Sequence, residues 1–208
     1  MLLGPVSWIV LAPALGACAL MFVPKHKTRL IHAIGMLAVS VSLALAIDVF
    51  VSYDRTAGGY QFVDRIDWVP SLGIAYHMGA DGISAVLLLM TGILAFSGVF
   101  VSMSVKVRVK EFFIFYLFLI AGCFGTFAAL NIFFIYFFYE TAVVPVFPLI
   151  GVWGSGNKEY ATMKLTLYLT FGAVLALVAI LGLYFAVGLN TFALPAIEAA
   201  LAELPKIE

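Results

Sequence analysis

Six runs of mostly apolar residues decide what this chain can fold into: Leu2 to Val23, Leu30 to Val51, Ile83 to Met103, Phe112 to Ala129, Ile132 to Trp153 and Ala161 to Val187. A helix needs about 20 such residues to cross the hydrocarbon core of a bilayer. The expected fold is all-α, a polytopic membrane protein with six transmembrane helices in one domain over residues 1–187 and a tail over residues 188–208. Composition agrees, with 64% hydrophobic and 11% charged residues and a mean hydropathy of +1.15.

Eleven Lys and Arg balance eleven Asp and Glu. Without a basic excess or an acidic tail, the chain has no charge pattern suited to nucleic acid or to a soluble charged partner. Cys18 and Cys123 lie inside apolar runs, away from any second Cys or His at ligand spacing, so they read as buried spectator thiols and not as a disulfide or metal site. No phosphate-binding glycine loop and no Ser/His/Asp arrangement occurs, and His26, His32 and His77 are scattered. Neither a cofactor nor a metal site is expected in this chain.

Leu15-Gly16-Ala17-Cys18 looks like a lipoprotein cleavage box, but the first basic residue, Lys25, follows the apolar run, so a retained helix is expected. Lys25, Lys27 and Arg29 follow run 1, Lys106, Arg108 and Lys110 follow run 3, and Lys158 follows run 5. The tendency of basic loops to stay in the cytoplasm places these loops inside. The N-terminus, the long loop after run 2 and the C-terminal tail then lie outside. In that long loop, Arg55 and Arg65 are offset by Asp54, Asp64 and Asp67.

Leu130 and Asn131 alone separate runs 4 and 5, which makes a tight antiparallel helical hairpin. Gly122, Gly125 and Thr126 form a small-residue face on which a neighbouring helix can approach closely. Tyr60 to Val63 and Gly73 to Tyr76, around Pro70, read as a short extended hairpin. In the tail, Pro195 suits a first helical turn, and Ile197, Leu201 and Leu204 fall on one face flanked by Glu198 and Glu203. That pattern describes a short amphipathic helix at the membrane surface, or a connection to a further helix.

Three ionisable residues inside the runs need explaining, because a charge at the bilayer centre costs at least about 2.5 kcal/mol. Asp48 lies near the outer end of its run and reads as interfacial. Lys164 lies about one turn into run 6, close enough for its stem to reach the interface. Glu140 follows Ile132 by eight residues, near mid-membrane at about 1.5 Å per residue. It must protonate, pair with a cation or face water, and each option suits proton exchange, although a permanently neutral glutamate bonded to a neighbouring helix fits too. Pro145 and Pro148 deprive the carbonyls of Thr141 and Val144 of helical partners, leaving acceptors near the carboxylate that can hold water. Glu140 is roughly 18 Å and Lys164 roughly 6 Å from the inner end of their helices, so a direct ion pair is not expected, while a water-mediated link remains open.

Four stretches carry a resemblance: Tyr76 to Ser84 (YHMGADGIS), Phe138-Tyr139-Glu140 with the prolines behind it, Leu149 to Gly154 (LIGVWG) and Tyr160 to Lys164 (YATMK). Together with Tyr60 to Asp64 and Trp68, they resemble the antiporter-like subunit M of respiratory complex I, chain 4 in mitochondria. The resemblance implies a membrane-arm subunit of NADH:quinone oxidoreductase, in a bacterial or mitochondrial inner membrane, that moves protons. NADH, FMN, iron–sulfur clusters and quinone would belong to other subunits. It implies proton-pathway roles for Glu140 and Lys164 and a structural role for Asp81 at helix ends. Members of the family have about fourteen helices, and a lysine on a broken seventh helix partners the glutamate. Here the sequence stops after run 6, so the subunit is either split, with a second chain among its partners supplying the C-terminal helices, which is the expectation, or truncated and unable to pump alone. A subunit of a cation/proton antiporter or membrane-bound hydrogenase, or a non-pumping structural subunit, is the alternative.

Overall fold

The computed structural model describes residues 3–188 and 191–203. Its elements are α1 (Pro5–Phe22), α2 (Thr28–Ser52), β1 (Gln61–Val69), β2 (Ile74–Ala80), α3 (Gly82–Ser102), α4 (Val109–Ala128), α5 (Ile132–Trp153), α6 (Lys158–Val187) and α7 (Leu194–Glu203). Helices α1 to α6 are the six expected spans. Their ends differ from the apolar runs because a helix does not stop where hydrophobicity stops. Polar first turns carry α2 back to Thr28, α4 to Val109 and α6 to Lys158, whereas α1 begins only at Pro5, a residue whose fixed φ suits the first helical position. Leu2 and Leu204, which the sequence places in the first span and on the tail helix, lie outside the described residues.

Helix α4 is the hub: it packs on α1 and α5, and also on α2 and α3. Its Phe113, Leu117 and Phe124 are fully buried, beside Ile9 and Leu20 of α1. Close approach depends on missing side chains. A Cβ on Gly35 of α2 would lie 2.7 Å from the Phe113 ring, and one on Gly122 of α4 would lie 2.8 Å from the Ala142 Cα of α5. The small-residue face on α4 therefore seats α5, as at membrane helix interfaces generally. Helix α6 packs chiefly on α5. Only 6% of its span is buried, against 44% for α1 and α4, so its outer face is left uncovered by the described residues.

Strands β1 and β2 form an antiparallel hairpin with Arg65 opposite His77 and Ile66 opposite Tyr76. Both strands run well beyond the expected Tyr60–Val63 and Gly73–Tyr76. Alternation over Asp64–Val69 is masked by charged residues on the exposed face, and Gly73 turns the chain at φ 67°. The hairpin covers one end of the bundle. There Leu130 donates its N–H to the His77 carbonyl at 2.8 Å, Ile132 to Phe192 at 2.8 Å and Leu194 to Leu130 at 2.9 Å, clasping the α4–α5 connection between hairpin and tail.

At the opposite end, Lys25 pairs with Glu111 at 2.7 Å and Trp153 Nε1 donates to the Val107 carbonyl at 2.7 Å. Cys18 departs from the expected burial: it is exposed on the outer side of α1, because α4 and α2 take the opposite face of that helix. Cys123 is half-buried. Asp48 is exposed, one turn from the end of α2.

Candidate functional site

Helix α5 starts at a defined point. The Asn131 side chain accepts the Phe133 N–H at 3.1 Å, which caps the first turn. Glu140 follows Ile132, the first helical residue, by eight positions, about 12 Å along the axis, with about 20 Å of helix remaining to Trp153. Its position along the helix is the one read from the sequence.

Glu140 is half-buried, and its Oε1 is enclosed without a hydrogen-bond partner among the described residues. Buried polar atoms are nearly always partnered, so an orphan oxygen marks a site completed by something else: a proton, water or another helix. The carboxylate borders two grooves on either side of α5. One, of about 380 Å³, faces α4 through Phe115 and Phe118 and includes Thr141, Val144 and Pro145. The other, of about 340 Å³, faces α6 through Leu165, Thr166, Leu169 and Thr170. Both walls are mainly apolar, with Thr141, Thr166, Thr170 and Tyr136, one turn before Glu140, as the principal polar exceptions.

Helix α5 stays helical through both prolines, with Pro145 buried and Pro148 half-buried. Thr141 and Val144, the residues whose carbonyls lose a partner to Pro145 and Pro148, line the same grooves as Glu140. The Thr141 hydroxyl donates one turn back, to Phe137 at 2.9 Å.

Lys164 lies elsewhere. It is exposed on the outer face of α6, with its Nζ 5.9 Å from the centre of the Tyr160 ring, in a groove shared with Met163, Leu167, Tyr168 and Phe171. The α6 residues facing Glu140 are Leu165, Thr166 and Leu169, so Lys164 points to a different side of its helix. Neither residue makes an ion pair among the described residues. Asp81 is the N-cap of α3, its Oδ1 accepting the Ser84 N–H at 2.7 Å.

Sequence reasoning missed three residues at the hairpin end. Asp64 of β1 accepts the Gly4 N–H at 2.8 and 3.0 Å and the Ser7 hydroxyl at 2.6 Å, a carboxylate closing over the first turn of α1. Pro5, with Ser7 two residues on, marks a helix start, but nothing local identifies Asp64 as its partner. The Tyr76 hydroxyl and His77 Nδ1 are buried with no hydrogen-bond partner among the described residues. Burial raises the Tyr76 pKa and lowers that of His77; nearby Arg65 pushes His77 further down, and Asp67 partly opposes it.

A family model described as "NADH:quinone oxidoreductase/Mrp antiporter, TM" matches residues 129–205, which include α5, α6 and Glu140. NADH-quinone oxidoreductase subunit M of Rickettsia typhi is 34% identical over 152 residues, 73% of this chain and 31% of that protein. NADH-ubiquinone oxidoreductase chain 4 of Arabidopsis thaliana is 31% identical over 184 residues, 88% of this chain and 37% of that one. Among solved structures, a chain of respiratory complex I from Thermus thermophilus with bound NADH superposes with a TM-score of 0.81 at 26% identity, covering 94% of this chain and 39% of its own. The chain spans about a third of the length of the relatives it matches.

Proposed function

Because the chain belongs to the antiporter-like membrane subunits related to NADH:quinone oxidoreductase subunit M, we propose that it carries part of a proton-translocation path across the membrane. Electron transfer from NADH through FMN and iron–sulfur clusters to quinone takes place in other subunits of the complex. The observation that carries this reading is the Glu140 carboxyl: mid-helix, bordering a groove on each side of α5, with one oxygen enclosed and unpartnered among the described residues. A carboxyl so placed is able to exchange a proton with whatever donor or water reaches it.

In this scheme the uncovered flank of α5 and α6 packs against further helices of the subunit, whichever chain supplies them, and one of those helices brings a cation to Glu140. Lys164 acts at longer range, through water or through the field it sets up near the inner surface. The basic loops after α1, α3 and α5 face the cytoplasm or matrix, and the hairpin and tail face the outer side. Asp81 and the two prolines hold helix ends and helix shape. Partners are the other membrane-arm subunits.

The test is Glu140→Gln in the assembled complex, measuring proton pumping and subunit composition together. Loss of pumping with assembly intact supports the proposal. Unchanged pumping would show that the chain is a scaffold in which the carboxylate is vestigial. The same purification identifies the partners, and companions of a sodium/proton exchanger in place of redox subunits would move the chain to the antiporter branch named in the family description.

A further inference from the structure

At the end of the bundle away from the hairpin, two loops far apart in sequence meet. The ion pair between Lys25 and Glu111 ties the α1–α2 loop to the start of α4, and Lys110 Nζ donates to the Met21 carbonyl at 2.8 Å, closing the same seam. Between the loops is a pocket of about 300 Å³ lined by Lys25, Thr28, Lys106, Arg108, Lys110 and Glu111. Four cationic side chains face one carboxylate. Lys25 is occupied by Glu111 and Lys110 by a backbone carbonyl, whereas Lys106 and Arg108 make no ion pair or side-chain hydrogen bond among the described residues. The volume lies at the lower end of small-ligand sites, and the unmatched charge is positive.

Exposed apolar residues flank these loops in the sequence. Phe22 is 89% exposed at the end of α1, and Val101 and Val107 are 70% and 64% exposed at the end of α3 and beside Arg108. A free inorganic anion has no use for these side chains. A ligand with an anionic head and hydrocarbon chains uses both features, and its depth matches, because the pocket lies where the spans α1 and α4 end. We propose that this pocket binds the phosphate of an anionic phospholipid headgroup, with Lys106 and Arg108 as its principal ligands and Phe22, Val101 and Val107 against the acyl chains. Basic pockets between transmembrane helices recognise anionic headgroups by this combination of charge and depth, and the guanidinium fork of Arg108 matches phosphate oxygens in geometry as well as charge.

The experiment uses the intact complex in mild detergent and a photoreactive phosphatidylglycerol, with labelled residues mapped by mass spectrometry. Labelling should concentrate on residues 20–29 and 101–111 and exceed that by photoreactive phosphatidylcholine by about threefold or more. The double variant Lys106→Ala/Arg108→Gly should lose most of it with assembly unchanged. Glycine suits this position because Arg108 already holds a left-handed backbone, φ 51°. Arg108→Lys should retain labelling in part, and Arg29→Ala, outside the pocket, should retain it fully. Equal labelling by the two lipids, or full labelling of the double variant, overturns the proposal. Competition by millimolar inorganic phosphate alone would reassign the pocket to a free anion, and absence of labelling because another subunit shields both loops would reassign it to a protein contact.

Discussion

Ser7 of α1 donates its hydroxyl to the Asp64 carboxylate of β1 at 2.6 Å, across 57 residues of sequence. With the two contacts from the Gly4 N–H, this single side chain fixes the first helix to the hairpin. Asp64→Ala should cost about 0.5–2 kcal/mol, the range for losing a helix cap, read as a lower unfolding midpoint of the purified protein in detergent. Asp64→Asn, which keeps an acceptor oxygen, should lose less. An unchanged midpoint in Asp64→Ala would mean that α1 is held by packing alone. Gly4→Ala should behave like Asp64→Ala, since its Cβ would lie 2.8 Å from a carboxylate oxygen.

Glu140 and Lys164 occupy different grooves, and their substitutions should therefore separate. Glu140→Gln should abolish the chain's share of pumping. Lys164→Ala should leave pumping in place and move its pH midpoint by no more than about one unit, the scale of a screened or water-bridged charge. The check is a pH profile of pumping in reconstituted vesicles. Equal loss in both variants would show that the two residues act as a direct pair, contrary to the geometry.

Gly122→Leu should force α4 and α5 apart, because the Ala142 backbone already occupies the space its side chain needs. Overpacking of this kind costs about 1–3 kcal/mol, seen as a lower unfolding midpoint and weaker assembly. Gly172→Leu on the exposed face of α6, where a Cβ meets nothing within 4 Å, is the comparison and should leave the midpoint of the isolated chain unchanged.

His77 gives the hairpin end a pH dependence whose sign follows from its lowered pKa, caused first by burial and then by Arg65. The unfolded chain takes up the proton near pH 6.5 while the folded one resists it, so stability falls as pH drops below about 6.5 and is fully present above it. His77→Phe should flatten the dependence of the unfolding midpoint between pH 7 and pH 5. A wild-type midpoint that is flat over that window would rule out His77 as its source.

The spans were legible because each is a long apolar run, and Glu140 because a carboxylate inside such a run has no local explanation. Gly122 and Gly125 were legible for the same reason, as small residues at helical spacing. The Asp64 clamp and the reach of the hairpin were not, because both depend on pairing between distant segments and on residues whose exposed neighbours hide the alternation. The side of α6 on which Lys164 lies was also out of reach. Depth follows from counting residues, but azimuth depends on which face α5 takes, and α6 is apolar all round except for its first turns.

The clasp around Leu130 and Ile132 acts as a ruler for the membrane acid. Three backbone hydrogen bonds, to the hairpin and to the tail, fix where α5 begins, and Glu140 stands a set number of residues below that mark. Sliding α5 by one residue would break bonds to two other segments at once. If Glu140 exchanges a proton as proposed, the level at which it does so is metered by the hairpin, about 12 Å of helix away from the carboxyl.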